Sequence, residues 1–460
     1  MLTFKFGVIP GLLPSPRARG RIRMTVAAAF LAAVSSCGLL DTDQPNIIDP
    51  NEIDSPEGAQ ALALGALADF AFAKDGDGTQ FDDGLILTSG LLADEFVHST
   101  TPPSQQEVDQ RTTALINPTL SDVYRNLHKA RAGLENAAAA LRQFLVAPDE
   151  TPDIAEMESL AGYTYVYFGE TFCSGVPFSR VSGDSLIFGN PETTTQMFER
   201  ALARFDEALA EPGLVNDDGT ITNLAAVGRG RALLGLGRFA EAGAAVAAVP
   251  TDFVYATEHS DSPIRLQNAI FSYTNSGLWS VADVEGGVGL PYLTAADPRV
   301  PFLDTEDTGL DLITPQFNLL KYPDATAPVS VGDGIEARLI EAEVQLQANN
   351  LSGMTTTLND LRDAFPDLLL GSLGTPGSRA EGEDLLFAER AFWLYATGHR
   401  LGDMRRLVRP APLGYGRPVD TVFPNGDYHK GGSYGTDVNL PLPIEEQNNP
   451  NSAGCLDRNP

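Results

Sequence analysis

The 460-residue chain is poor in cations, histidine, tryptophan and cysteine: 31 Lys+Arg stand against 61 Asp+Glu, with 5 His, 2 Trp and 3 Cys. A formal net charge of −30 leaves no basic face to displace counterions from a phosphate backbone, so a nucleic-acid binder is excluded. His98, His128, His259, His399 and His429 show neither HxxxH nor HxH spacing, and no metal or cofactor site is indicated. Asp75-Gly76-Asp77-Gly78-Thr79 opens like a calcium loop. However, Gln80 stands where that loop requires glycine and Ile86 replaces its bidentate acid, so a solvated turn is expected. Gly431-Gly432-Ser433-Tyr434-Gly435 matches the spacing of a nucleophile elbow but lacks the strand before and the helix after that the elbow needs. No pair of carboxylates can be nominated for glycoside hydrolysis. None of these patterns identifies a catalytic centre. What the chain does have is an ordinary hydrophobic fraction of 43%, enough for a sizeable core.

The N-terminal segment carries Arg17, Arg19, Arg21 and Arg23, a small-apolar run from Thr25 to Val34, and then Ser35-Ser36-Cys37. A basic flank, an apolar stretch of about ten residues and small residues at the end describe a secretory signal over residues 1–36, too short for a membrane span. Val34-Ser35-Ser36-Cys37 resembles the lipobox of bacterial lipoproteins, which implies lipidation at Cys37. Residues 37–460 are then the mature chain, with a polar, Pro-containing tether after the anchor. Removing residues 1–36 discards five of the 31 basic residues and none of the acids. So anionic a body is held at a membrane by lipid and not by adsorption to headgroups.

The body reads as helix pairs. From Ser121 to Leu145, Val123, Leu127, Ala130, Leu134, Ala137, Leu141 and Leu145 form one apolar stripe at spacings of three and four. Further helices are expected over 154–170, 194–210, 224–236, 239–248, 334–348, 355–364 and 383–408. Strand-like runs are few, so an α-dominated fold is expected. Residues 223–250, with Ala232, Gly235, Gly237, Phe239, Ala242 and the stop Pro250, resemble the tetratricopeptide helix-turn-helix pattern. The expected platform comprises 121–250 and 334–408, after a tether and first helix over 37–70. Stretches rich in Gly, Pro, Asp and Thr (72–119, 251–333 and 409–460) are too long for simple connections and are read as an irregular, loop-rich lobe.

Apart from Cys37, the cysteines are Cys173 and Cys455. In an oxidising compartment they either bridge, closing a loop long enough to add roughly 4 kcal/mol in the chain-entropy view, or remain two buried thiols.

Four segments in order resemble the SusD/RagB family of lipid-anchored nutrient-binding proteins. They are the start from Cys37 through Leu67, with Asp54-Ser55-Pro56-Glu57-Gly58-Ala59; residues 162–179 (GYTYVYFGETFCSGVPFS); residues 389–406 (ERAFWLYATGHRLGDMRR); and residues 440–451 (LPLPIEEQNNPN). In the third, Thr397 and Trp393 depart from the commoner family residues. The resemblance implies a tetratricopeptide-like platform carrying an irregular lobe, no enzymatic activity, and a partner: a SusC-like TonB-dependent transporter in the outer membrane. The nutrient would be an oligosaccharide or a similar small molecule, captured at the cell exterior and passed to the barrel. Glu389, Arg390, Arg400, Asp403 and Arg406 recur at helical spacings and are read as structural ion pairs.

Glycan sites use flat aromatic platforms with polar neighbours. Trp393 is assigned to the core of the C-terminal helix, which leaves Tyr273, Trp279 and Tyr292 in the lobe as the expected ligand-binding residues. The competing reading is a tetratricopeptide scaffold for envelope protein assembly, which should lack the long loop lobe and the terminal Pro-rich motif.

Overall fold

The computed structural model describes residues 54–182 and 185–459; the targeting segment and Cys37 lie outside them. The chain opens with α1 (Pro56–Asp75), where the Ser55 hydroxyl accepts from the Gly58 N–H and Pro56 occupies the first turn. Then come α2 (Gly84–Leu92), buried along its whole length, the strand β1 (Phe96–His98) and α3 (Pro103–Asp109). The stretch 72–119, read as loop from its composition, therefore contains two helices. The platform follows with α4 (Pro118–Phe144), α5 (Asp153–Thr171), the short strands β2 (Val176–Pro177), β3 (Arg180–Ser182), β4 (Ser185–Ile187) and β5 (Pro191–Glu192), then α6 (Thr194–Ala210), α7 (Thr220–Gly235) and α8 (Phe239–Val246). The lobe adds β6 (Val254–Thr257), α9 (Ala269–Asn275), β7 (Trp279–Val281), β8 (Phe302–Thr308), β9 (Pro315–Leu319) and β10 (Val329–Asp333). The chain then returns to the platform with α10 (Gly334–Gln347), α11 (Leu351–Asp363), α12 (Arg379–Trp393) and α13 (Arg400–Val408).

Consecutive helices pack as hairpins: α4 on α5, α5 on α6, α6 on α7, α7 on α8 and α10 on α11, while α1 lies along α4. The seam at α6 shows why small residues are needed where these helices cross. Phe198 and Phe205, both buried, are seven residues apart on α6. Gly162 and Gly169 on α5 and Gly228 and Gly235 on α7 repeat at the same spacing. A Cβ at Gly162 or Gly228 would stand 2.8 or 2.3 Å from the Phe205 ring, and one at Gly169 or Gly235 would stand 3.0 or 2.6 Å from the Phe198 ring. Each phenylalanine thus fills the gap that two glycines leave.

Strands occur only as two-stranded antiparallel ribbons among the described residues: β1 with β7, β2 with β5, β3 with β4, β6 with β10 and β8 with β9. The Cys173 and Cys455 sulfurs are bonded. The tail is also laced to that segment by backbone bonds, Cys173 N–H to Leu440 O at 2.9 Å and Leu456 N–H to Ser174 O at 2.7 Å.

The helix expected over 383–408 is two helices. Between α12 and α13 the chain turns at Ala396 (φ 54°) and Gly398 (φ 79°). The lobe holds this turn: Ala396 N–H donates to Glu95 Oε1 at 2.7 Å, Lys321 Nζ to Tyr395 O at 2.7 Å, and the Tyr322 hydroxyl to Ala396 O at 2.8 Å. Tertiary bonds here override a helical pattern in the sequence.

The charged residues of α12 and α13 form ion pairs, as their spacing suggests. Arg390 chelates Asp403 (Nε–Oδ2 2.7 Å), Arg406 meets Glu343 of α10 and Asp403, Arg400 meets Asp94 (2.6 Å), and Glu389 takes both Arg299 and Arg362. Burial opposes ionisation of Asp403, but Arg390 and Arg406 outweigh it and hold the carboxyl well below the usual range.

Candidate functional site

The ribbon β6–β10 sets the geometry of the site. Val254 pairs with Asp333 and Ala256 with Ser330, so these four share one face. That face floors a groove of about 470 Å³. One wall comes from the prolines 298 and 301 and from Lys321 and Tyr322; the other comes from Ile335 of α10, Phe365 and Trp393. Trp393 is nearly buried, its ring centroid lies 5.2 Å from that of Phe365, and its indole N–H has no partner. Arg299 sits 5.1 Å from the same ring and is fixed by Asp297 (2.7 Å) and Glu389 (2.9 Å).

Two groups supply polar function in the groove, Asp333 at the floor and Lys321 in the wall. Asp333 caps α10 through the Glu336 N–H (2.8 Å) and accepts from the Ser330 hydroxyl (2.8 Å), and burial raises its carboxyl above the ordinary range. Lys321 donates to the Tyr395 and Trp393 carbonyls, and burial pushes its ammonium down to about 8.

The groove does not end there. It adjoins a cavity of about 240 Å³ through Ala256, and that cavity adjoins one of about 300 Å³ through Ala68, Ala71 and Glu258. The three cavities follow the chain from Val254 to Ser260 beside α1, a path of about 20 Å at strand rise. Beneath it, Asp75 is buried between Lys74 (2.7 Å) and His259 (3.3 Å). The Asp75 to Thr79 stretch is thus not a solvated turn: Lys74 and His259 offset the burial of Asp75, and Asp77 caps its own turn by accepting from Thr79.

Tyr273, Trp279 and Tyr292 present no ring to solvent; they are 1%, 0% and 0% exposed. The expected platform is instead a buried ladder running Tyr273, Trp279, Phe96, Tyr395, Tyr292 and Phe392, with successive centroids 5.5, 6.1, 5.6, 4.7 and 5.4 Å apart. It fills the space between lobe and platform. The apolar area of these rings wins over any role at the surface.

No model of a protein family matches this chain, and no curated protein matches its sequence. Solved structures do match it along most of its length. A SusD superfamily protein from Parabacteroides distasonis is 14% identical over 86% of this chain and 98% of its own, with a TM-score of 0.64. A SusD-like carbohydrate-binding protein from Bacteroides fragilis is 13% identical over 87% and 99%, with a TM-score of 0.63. The surface glycan-binding protein A from Bacteroides uniformis is 11% identical over 87% and 99%, with a TM-score of 0.64.

The chain has the SusD fold.

At these identities the likeness is one of backbone path. Within the SusD fold of this chain, the groove is built from residues that sequence reasoning did not single out: Arg299, Lys321, Ser330 and Asp333. They come from four loop or strand-end positions with no periodicity to betray them. Trp393, assigned to the core, is indeed buried, but it also forms the groove wall.

Proposed function

We propose that this protein is a lipid-anchored outer-membrane receptor that captures an oligosaccharide in the groove over β6–β10 and passes it to a SusC-like TonB-dependent transporter. The observation that carries this reading is the likeness, over most of both chains, to solved proteins named for carbohydrate or glycan binding. The groove supports it with aromatic and proline walls, a hydroxyl and a carboxyl group at its floor and the Lys321 ammonium in one wall, which suits a ring with an apolar face and hydroxyl edges. Cys37 carries the lipid, and the chain works at the cell exterior as a binder without a catalytic step.

The test has two parts. Titration calorimetry against a panel of oligosaccharides should find a ligand whose binding is lost in Val254→Trp, a change at a 60% exposed position that fills the groove without touching the core. Purification from outer membranes in mild detergent should bring a stoichiometric TonB-dependent barrel, and Cys37→Ser should release the protein from the membrane. A protein recovered without a barrel, or a glycan that binds equally well to Val254→Trp, refutes the corresponding half.

A further inference from the structure

Beside the groove, the strand β6 leaves one of its edges unpaired. Gly334 N–H donates to Phe253 O at 2.8 Å, which turns the backbone groups of Phe253, and by alternation those of Tyr255 and Thr257, toward β10. The bulge between Ser330 and Gly332 puts its extra residue in β10, so the alternation along β6 is unbroken. The N–H and C=O groups of Val254 and Ala256 therefore point the other way. Among the described residues β10 is the only strand that β6 meets, and no backbone bond reaches Val254 or Ala256 from the opposite side. Edge strands are commonly blunted by proline, lysine or a bulge, and Val254-Tyr255-Ala256-Thr257 carries none of these.

Along this edge lies an open slot, the cavity of about 240 Å³ already described. Tyr255, Ala256, Thr257 and Glu258 all line it. Successive side chains alternate between the two faces of a strand, so a cavity touched by all four borders the edge of β6 and not a face. The far wall is α1, where Ala68 and Ala71 stand one turn apart and project nothing beyond a methyl group, and Leu67 and Leu160 complete an apolar lining. Val254 and Glu258 are exposed and Ala256 is half-buried, which leaves the edge open to solvent. The Tyr255 hydroxyl, donating to Glu156 at 2.6 Å, anchors the strand from its other face.

Such an edge selects its ligand by chemistry. Unmet N–H and C=O groups recur at every second residue, about 7 Å apart, which is the repeat of an extended polypeptide backbone. The slot also runs into the groove at Ala256 and into the cavity of about 300 Å³ at Ala68, Ala71 and Glu258. A chain can therefore pass through it with both termini outside, which fits an internal stretch of a longer protein.

We propose that the free edge of β6 takes up an extended segment of a partner protein as a third strand, its backbone bonded to Val254 and Ala256 and its small apolar side chains against Ala68 and Ala71. This goes beyond glycan capture, which uses the face of the ribbon and not its edge.

The experiment links a capped peptide, acetyl-Cys-Gly-Ser-Val-Thr-Ala-Val-Thr-amide, by a disulfide to Ser260→Cys of the full chain in detergent, an exposed position just past β6. Tethering holds the peptide at an effective concentration in the millimolar range. Without peptide, the Val254 and Ala256 amides should exchange with deuterium at least about tenfold faster than those of Tyr255 and Thr257, and the peptide should remove that difference. Ala256→Pro deletes an outward N–H and no ladder bond, and Ala68→Phe fills the slot from an exposed position. Each should abolish the protection of Val254, and Ala68→Ser should retain it, with the unfolding temperature unchanged in both Ala68 variants. Three results would overturn the proposal: Val254 and Ala256 amides that are already slow without peptide, as pairing with a second copy would make them; a peptide that leaves exchange unaltered; or protection that survives Ala68→Phe.

Discussion

Replacing Gly228 with alanine should destabilise the protein even though alanine is the better helix former. The new Cβ would stand 2.3 Å from both Cε1 and Cζ of Phe205 and 2.9 Å from Cε2 of Tyr163. Carbon pairs rest at about 3.5–4.0 Å, so the ring has to retreat by more than ~1 Å. It has nowhere to go: Phe205 is fully buried, Gly162 closes its other side, and Tyr163 packs edge-on at 5.3 Å. Overpacking of this kind costs about 1–3 kcal/mol, here toward the upper end, and the helix-propensity gain of about 1 kcal/mol offsets part of it. The net expected loss is about 2 kcal/mol. Gly65→Ala is the control, because Gly65 lies inside α1 with nothing within 4 Å of its Cβ and should gain about 1 kcal/mol. Chemical unfolding followed by circular dichroism would measure both. Adding Phe205→Leu to Gly228→Ala should destabilise by less than the sum of the two single changes, since the smaller side chain admits the methyl. If Gly228→Ala matches Gly65→Ala in stability, the account of the seam is wrong.

Other outcomes follow from the charged interior. Asp403→Asn should lower stability by about 3 kcal/mol at neutral pH, because Arg390 and Arg406 lose a buried anion. The folded pKa of Asp403 is depressed, so its contribution is present above the unfolded value of about 4 and fades as pH falls below it; thermal melts of wild type and variant should converge in acid. Lys321 runs the other way. Its ammonium is lowered from 10.5 to about 8, the unfolded chain binds the extra proton between these values, and its contribution to stability should rise with pH across that window and vanish in Lys321→Met. Cys455→Ser should leave the platform folded but speed hydrogen exchange of the backbone bonds at Cys173 and Leu456, which the bridge holds together.

Platform helices that bury one stripe were legible: the residues of α4 at spacings of three and four and the bounds of α6 come from periodicity, and in the structure Thr193 and Gln196 close the start of α6 with a reciprocal cap. The charge spacing on α12 and α13 likewise announced ion pairs. The lobe was not legible. Tyr273, Trp279 and Tyr292 sit in segments that look loop-like by composition, and nothing local says that six rings from distant parts of the chain will stack into one buried ladder. The groove is opaque for the same reason, since Arg299, Lys321 and Asp333 are brought together by the path of the backbone and not by spacing. α2 was hidden because a helix buried on all sides has no amphipathic period to detect.

The turn between α12 and α13 has a consequence for how this protein can be taken apart. Its backbone is held by Glu95, Lys321 and Tyr322, residues contributed by the lobe from well upstream in the sequence. Without them the stretch 383–408 is free to follow its own apolar period and grow as one continuous rod, carrying the Arg400 and Arg406 partners out of reach of Asp94 and Glu343. The platform and the lobe are therefore not modules that can be grafted or expressed separately.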